Sequence, residues 1–324
     1  MTPTHMRHRT ALGAAGVAAG LVALVGCSGG GAADGGTSGD DQVTVTNCGE
    51  KRTYPQPAER LFVNGDGNMM ATVLAVGAAE QVVGVGGLGE AVETLGTVYG
   101  EDRVDELPVV SDNYPSFENV IAQTPDVVFS GWGYGWEEKT NLTPDGLAQH
   151  DIAAYTLTES CRQGSDGDRG TLPPWEALFS DLKNLGKITG NQDRAQDVVT
   201  DIKQRLEALR SAPQPDDPPT VFLFDSGTKD VFSSGAFGGP QAIIEAAGGR
   251  NALEDVQDTW TTVSWERVAS SKPDFIAFVD YGEQTFQEKV EVLRNNPATK
   301  NLPAVKQERF LNIPISAWTS GPMN

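Results

Sequence analysis

Two spacings of apolar residues alternate along the chain. Short apolar runs occur at Leu61 to Asn64, Val82 to Val85, Pro108 to Ser111, Asp126 to Ser130 and Ala154 to Leu157, and each reads as a strand. Between them, Met69 to Val76 and Phe117 to Ala122 carry apolar residues at helical spacing and predict short helices. Strands separated by helices in this order predict an α/β fold with largely parallel sheets.

The texture changes at Trp175. From there to Ala212 the apolar residues recur every three or four positions, first Leu178, Leu182 and Leu185, then Val198, Ile202, Leu206 and Leu209, with a break at Thr189-Gly190-Asn191. Pro173 and Pro174 suit a helix start, Asn191 suits the N-cap of the second segment, and Pro213 to Pro219 stops it. The first pattern then returns, with strands at Thr220 to Phe224, Asp274 to Val279 and Arg309 to Ile313, and helices at Gln241 to Ala247, Trp265 to Ser270 and Glu288 to Asn295. The prediction is two Rossmann-like α/β lobes, 43–190 and 219–324, joined by a single long connecting helix and linker over 191–218, with a ligand cleft between the lobes.

The N-terminus sets the compartment. Arg7 and Arg9 precede an uncharged run from Ala11 to Val25, which predicts a secretion signal over 1–26. The run is shorter than the roughly 20 residues a spanning helix needs. Leu24, Val25, Gly26 and Cys27 resemble the bacterial lipobox, which makes Cys27 the expected lipidation site and 27–42, rich in Gly, Ser and Asp, a flexible tether. The competing reading is an ordinary signal peptide with a chance cysteine. Anchoring would put the protein on the outer face of the cytoplasmic membrane, touching lipid through its anchor alone. Setting Cys27 aside leaves Cys48 and Cys161, a pair that forms a disulfide in an oxidising compartment or else stays as two free thiols.

Charge and composition remove other classes. The 24 basic and 44 acidic residues give a net −20, and −22 without the leader's two arginines. Such a surface repels nucleic acid and anionic headgroups. Of three histidines only His150 lies beyond the leader, so a several-histidine metal site cannot be built, a Ser-His-Asp triad would have to use that one histidine, and no metal is expected to be held directly by the protein. No G-x-S-x-G turn links a predicted strand to a helix, and the chain reads as a non-enzyme with no cofactor. Gly84, Gly86 and Gly89 satisfy G-x-G-x-x-G, which reads here as tight turns because no clear long helix follows.

Two segments match across the halves. Ser116-Phe117-Glu118-Asn119-Val120-Ile121 precedes Thr124-Pro125-Asp126-Val127-Val128, and Ser264-Trp265-Glu266-Arg267-Val268 precedes Lys272-Pro273-Asp274-Phe275-Ile276. Each reads as a short helix with a glutamate in its first turn, then a Pro-Asp corner, then a strand. A second motif, Ser130-Gly131-Trp132-Gly133-Tyr134-Gly135-Trp136, follows a strand directly, so its rings are expected at the strand's carboxyl end, facing the crevice rather than the core.

With these marks, from Tyr54 onward the chain resembles the iron-complex and vitamin B12 class of ABC importer binding proteins. Further marks are Pro57 to Val63, Met69 to Gly77, Val231-Phe232-Ser233-Ser234-Gly235, Ala247 to Asn251 and Trp318 with Gly321-Pro322. The resemblance implies a monomeric binder of a metal chelate, a ferric siderophore, haem or cobalamin, that delivers its ligand to a permease. It implies permease docking by Glu118 and Glu266. It also places Asp66, Asn68, Ser234, Phe237, Trp260 and Trp318 near the cleft, beside the Trp132, Tyr134 and Trp136 rings. Another organic small molecule on the same fold is the first alternative, and an anchored extracellular hydrolase the second. One departure stands out: the family commonly continues past Gly-Pro with an arginine and a terminal helix, whereas here Met323 and Asn324 follow. Either the second lobe is truncated in this sequence, or it lacks that helix and leaves an apolar face uncovered.

Overall fold

Parallel strands bury both faces, so they need helices above and below, and the chain meets that need twice. The computed structural model describes residues 42–164, 167–282, 284–319 and 321–323. The secretion signal, Cys27 and the tether up to residue 41 lie outside the described residues.

The first half runs β1 (Gln42–Asn47), β2 (Glu50–Pro55), β3 (Leu61–Asn64), α1 (Gly67–Ala75), β4 (Val82–Gly86), α2 (Ala91–Tyr99), α3 (Glu101–Asp105), β5 (Val109–Ser111), α4 (Phe117–Ile121), β6 (Val127–Ser130), α5 (Pro144–Ala148) and β7 (Ala153–Thr156). The helices α6 (Pro174–Ile188) and α7 (Gln192–Ser211) follow. The second half runs β8 (Thr220–Phe224), β9 (Val231–Ser234), α8 (Gly239–Ala246), β10 (Arg250–Asn251), β11 (Trp260–Val263), α9 (Trp265–Ser271), β12 (Phe275–Asp280), α10 (Phe286–Asn295), α11 (Pro303–Lys306) and β13 (Phe310–Pro314).

Five strands form one sheet in the order β5-β4-β3-β6-β7, and four form another in the order β10-β8-β12-β13. All pairings within these two sheets are parallel. At the centre of the first sheet β3 and β6 are buried at every position, the burial that an unbroken apolar run anticipates. Helix α1 is buried along its whole length and accordingly carries no charged residue. Helix α7 instead buries one stripe, Ala195, Val199, Ile202 and Leu206. Its 20 residues span about 30 Å and carry the chain from one half to the other, with α6 packed along it. No helix among the described residues is long and apolar enough to cross a membrane.

Asn191 does stand at the N-cap of α7, but its side chain makes no cap bond. Its Nδ2 donates instead to Gln81 Oε1 at 3.2 Å and to Thr189 Oγ1 at 3.1 Å, tying the α6–α7 turn to the first half. The G-x-G-x-x-G segment is followed by a helix after all, the nine-residue α2. Gly84 and Gly86 nevertheless lie within β4, where a Cβ would come within 2.4 Å of the Phe62 ring and 2.5 Å of Pro115, so they serve close packing.

The antiparallel β1–β2 hairpin has Cys48 in its turn, and Cys48 forms a disulfide with Cys161, which follows β7. Around it Asn47 exchanges two hydrogen bonds with the backbone of Thr156, at 2.7 and 2.9 Å, and Tyr54 Oη donates to the Ala154 carbonyl at 3.0 Å. The hairpin thereby lies along β7, an edge strand that would otherwise be open to pairing with another chain. The bridge spans 113 residues, and closing a loop of that size removes denatured-state entropy worth about 4.7 kcal/mol in the chain-entropy account. The double variant Cys48→Ser/Cys161→Ser is therefore expected to lose about 2–5 kcal/mol of unfolding free energy in urea titrations, and an unchanged midpoint would show that the hairpin contacts alone hold this edge.

Candidate ligand-binding cleft

In an open parallel sheet, groups that meet a ligand collect outside the carboxyl ends of the strands, where the strand order reverses. In the first sheet the order reverses between β3 and β6. There Ser130 Oγ donates to the Asn64 carbonyl at 2.6 Å, and Asn64 Nδ2 donates to the Gly135 carbonyl at 3.1 Å. Asp66 and the turn 131–136 continue from this floor. In the second sheet the order reverses between β8 and β12, which lead into Asp225 and Tyr281.

Past the strand ends of each half a tyrosine donates to a buried carboxyl. Tyr134 Oη donates to Glu159 Oε1 at 3.0 Å, and Tyr281 Oη donates to Asp225 Oδ1 at 3.0 Å. Glu159 is 2% exposed and Asp225 is 1% exposed. Burial pushes the Glu159 carboxyl up to about 8, against the pull of the Tyr134 hydrogen bond. Burial likewise raises Asp66, although its carboxylate caps α1 by accepting from the Asn68 and Met69 amides. Behind Tyr134, burial lifts Asp181 to about 7 while Tyr155 and Thr158 donate to it. The strand ends thus gather carboxyl groups whose charge is suppressed.

The nine residues expected at the cleft divide into groups. Tyr134, Trp260 and Trp318 come together: the half-buried Tyr134 ring packs against the first-half core and also against the second-half cluster that contains the two indoles. Asn68 joins them through its Oδ1, which accepts from the Thr319 hydroxyl of the segment after β13. Its Nδ2 donates to Asp66 at 2.9 Å. Phe237 lies against Gly170, where a Cβ would sit 2.1 Å from its own Cβ. Ser234 is fully buried and donates to the Thr259 carbonyl at 3.0 Å, a contact internal to the second half.

Two rings depart from the expectation. Trp136 is packed in the first-half core with Phe62, Phe117 and Val128, and its Nε1 donates to Thr156 Oγ1 at 3.2 Å. Gly133 and Gly135 take φ values of 80° and 129°, so the segment is a turn, and its side chains do not alternate as they would along a strand. Trp132 lies to the side, its ring 3.5 Å beneath the Arg162 guanidinium. It borders a hollow of about 480 Å³ shared with Arg52 and Thr143. A second hollow of about 480 Å³, more apolar, lies among α6, α7, α8 and Trp318. The buried Trp318 Nε1 finds no acceptor among the described residues.

Several cleft residues carried no signal in the sequence. Glu159, Arg169 and Asp258 meet there only because distant segments fold together. Tyr114, half exposed after β5, and Tyr281, partly exposed after β12, could have been found as tyrosines just past predicted strands.

The matched segments adopt one structure. Ser116 caps α4 by accepting from the Asn119 amide at 3.3 Å, and Ser264 caps α9 by accepting from the Arg267 amide at 3.3 Å. Thr124 and Lys272 follow with positive φ, and the next Pro-Asp corner closes on the entrance of a strand. Asp126 accepts from the Glu59 and Arg60 amides, Asp274 from the Thr220 amide. Glu118 and Glu266 are exposed in the first turn of these helices. Backbone and serine hydrogen bonds hold both carboxyls below the usual carboxylate range.

The periplasmic binding protein family model matches residues 65–317. The chain belongs to this family. A vitamin B12-binding protein of Yersinia pseudotuberculosis is 28% identical over 101 residues, 31% of this chain. The chain spans only 36% of that relative's length. Among solved structures, a periplasmic binding protein from Veillonella parvula aligns with a TM-score of 0.71 at 23% identity, over 87% of this chain and 93% of the other. An ABC-type Fe3+-hydroxamate transport system from Saccharomonospora viridis aligns with a TM-score of 0.68 at 22% identity, over 87% and 94%. These structures share the fold of two α/β lobes.

The raised Glu159 carboxyl sets the sign of a pH effect. Its ordinary value is 4.5 and its folded value about 8, so between these pH values the folded protein keeps a proton that the unfolded chain releases. Stability therefore falls as pH rises through that window and levels off above it. Asp181 adds a slope of the same sign up to about pH 7. Glu159→Gln is expected to flatten the part of the decline that extends toward pH 8, with a gain on the order of a few kcal/mol at alkaline pH. Urea midpoints of both proteins from pH 5 to 9 check this, and parallel curves would mean that Glu159 is ionised in the fold.

Proposed function

We propose that the protein is the extracytoplasmic binding component of an ABC importer, and that it carries a metal chelate of the ferric siderophore, haem or cobalamin class to a permease. The observation that carries this reading is the duplicated capped helix, which presents one exposed, ionised glutamate on each half. Two carboxylates held apart on stiff corners suit bidentate pairing with arginines of a partner, and so fix its orientation. The names of the B12-binding relative and of the hydroxamate-transport structure support the ligand class. In this reading Glu118 and Glu266 dock on the permease. The lobes are 43–190 and 219–324, linked through 191–218, and Cys27 carries the lipid that holds a monomer at the outer face of the cytoplasmic membrane.

The ligand meets Asp66, Asn68, Tyr134, Phe237, Trp260 and Trp318 between the strand ends, with Tyr114 and Tyr281 at the mouth. Aromatic faces offer a chelate large contact area at low entropic cost. Buried carboxyls with suppressed charge avoid leaving an uncompensated anion in the cleft. Release follows when the docked permease separates the halves.

Glu118→Lys/Glu266→Lys is expected to abolish uptake in cells while ligand affinity stays within about twofold, as for charges outside the binding site. If affinity collapses with uptake, the two glutamates belong to the binding site and the docking role fails. Titration with ferrichrome, haemin and cyanocobalamin, read by tryptophan fluorescence, is expected to give saturable quenching by one of the three. Tyr134→Ala should weaken that binding at least about tenfold. Saturation by none of them would move the ligand to another organic class.

A further inference from the structure

The residues after the disulfide form two arms that pair with each other. Arg162 and Arg169 make an antiparallel bridge, Gln163 N donates to the Asp168 carbonyl at 2.7 Å, and Gly170 N donates to the Cys161 carbonyl at 2.8 Å. The outgoing arm starts at Cys161, covalently fixed to the first-half hairpin. The returning arm, 167–170, reaches the second half.

Arg169 makes the crossing. Its Nη1 donates to the Trp132 carbonyl of the first half at 3.1 Å, and its Nη2 donates to the Trp260 carbonyl of the second half at 2.6 Å. Its backbone amide donates to Asp258 Oδ1 at 3.0 Å, and its Nε lies 3.8 Å from the same oxygen. The side chain is 16% exposed and that of Asp258 is 15% exposed, so water competes weakly for these bonds. Beside them Gln163 Nε2 donates both to the Arg169 carbonyl at 3.1 Å and to the Gln257 carbonyl at 3.0 Å. One guanidinium therefore holds a carbonyl from each half, and its fork geometry satisfies both at once.

We propose that Arg169 is a pin across the cleft, which holds the two halves at the separation seen here when no ligand is bound. Asp258 sets the pin by orienting its backbone and balancing its charge, and the disulfide gives the pin a fixed base. Opening the cleft breaks at least one of the two carbonyl bonds, because a guanidinium that follows one half leaves the other. Arg162, on the outgoing arm, is stacked over Trp132 and paired with Glu138, within the first half.

The test needs no ligand, so it stands apart from the chelate reading. In a full chain carrying Cys27→Ser, spin labels are placed on Asp112→Cys and Lys229→Cys, exposed sites just past β5 and β8. Pulsed dipolar spectroscopy then reads the distance between the halves. The parent should give one narrow distribution, and Arg169→Met, which keeps the apolar stem, should shift it outward and broaden it. Asp258→Asn, which keeps an acceptor for the Arg169 amide but removes the charge, should move it the same way by less, and it serves as the readout if Arg169→Met does not fold. An unchanged distribution in folded Arg169→Met overturns the pin. So does a shift in Asp258→Asn with none in Arg169→Met, since the guanidinium would then not be the group that holds the halves.

Discussion

A parallel strand covered on both faces has only its ends free to meet another molecule, and this constraint organises the protein. Burial of β3, β6, β8 and β12 between helices sends Asp66, Tyr134, Asp225 and Tyr281 outward from the carboxyl ends of strands. This arrangement of the sheets brings Tyr134 from one half onto the cluster of Trp260 and Trp318 in the other. The cleft follows from the way the sheets are covered, and its chemistry comes from loops that the sheets position.

The Pro-Asp corners tie that arrangement to the outer surface. In each half an aspartate accepts hydrogen bonds from the amides that enter the first strand, so the preceding helix is braced against the centre of the sheet. A glutamate on that helix is placed relative to the strands and not to a flexible loop. The halves are linked by α7, by the segment after β13 that reaches Asn68, by the arm that carries Arg169, and by packing of Tyr134 on the second-half cluster and of α6 on α8.

What the sequence reveals follows from the range of each interaction. The parallel strands other than β10 were legible to within a residue or two, because a strand buried on both faces is a short unbroken apolar run bounded by turn residues, whereas the two residues of β10, Arg250 and Asn251, carry no such run. The hairpin strands β1 and β2 were not, since QVTVTN and EKRTYP are largely polar and gain their burial from Tyr54, Asn47 and the disulfide. The twin glutamates were legible because capping is local, complete within four residues of Ser116 or Ser264. The direction of Trp136 was not, because the positive φ of Gly133 and Gly135 turns the backbone by an amount that residue spacing does not encode. Arg169 and Trp260, 91 residues apart, illustrate the general limit: a contact between halves leaves no periodic trace in either.

The carboxyl groups show how one functional group serves both ends of the molecule. Glu118 and Glu266 lie in water at helix starts, where amide and hydroxyl donors and the positive end of the helix favour the ionised form. Glu159 lies among packed side chains, where burial outweighs its tyrosine donor and favours the neutral form. A protein with a net charge of −20 would otherwise set its own cleft against any ligand bearing oxygen anions, and it would gain nothing from negative charge placed there. Charge is suppressed at the strand ends and held at the two corners, so neutral and ionised carboxyls occupy separate surfaces. That separation depends on the covering of the sheets, since the same helices that bury the strands decide which carboxyls reach water.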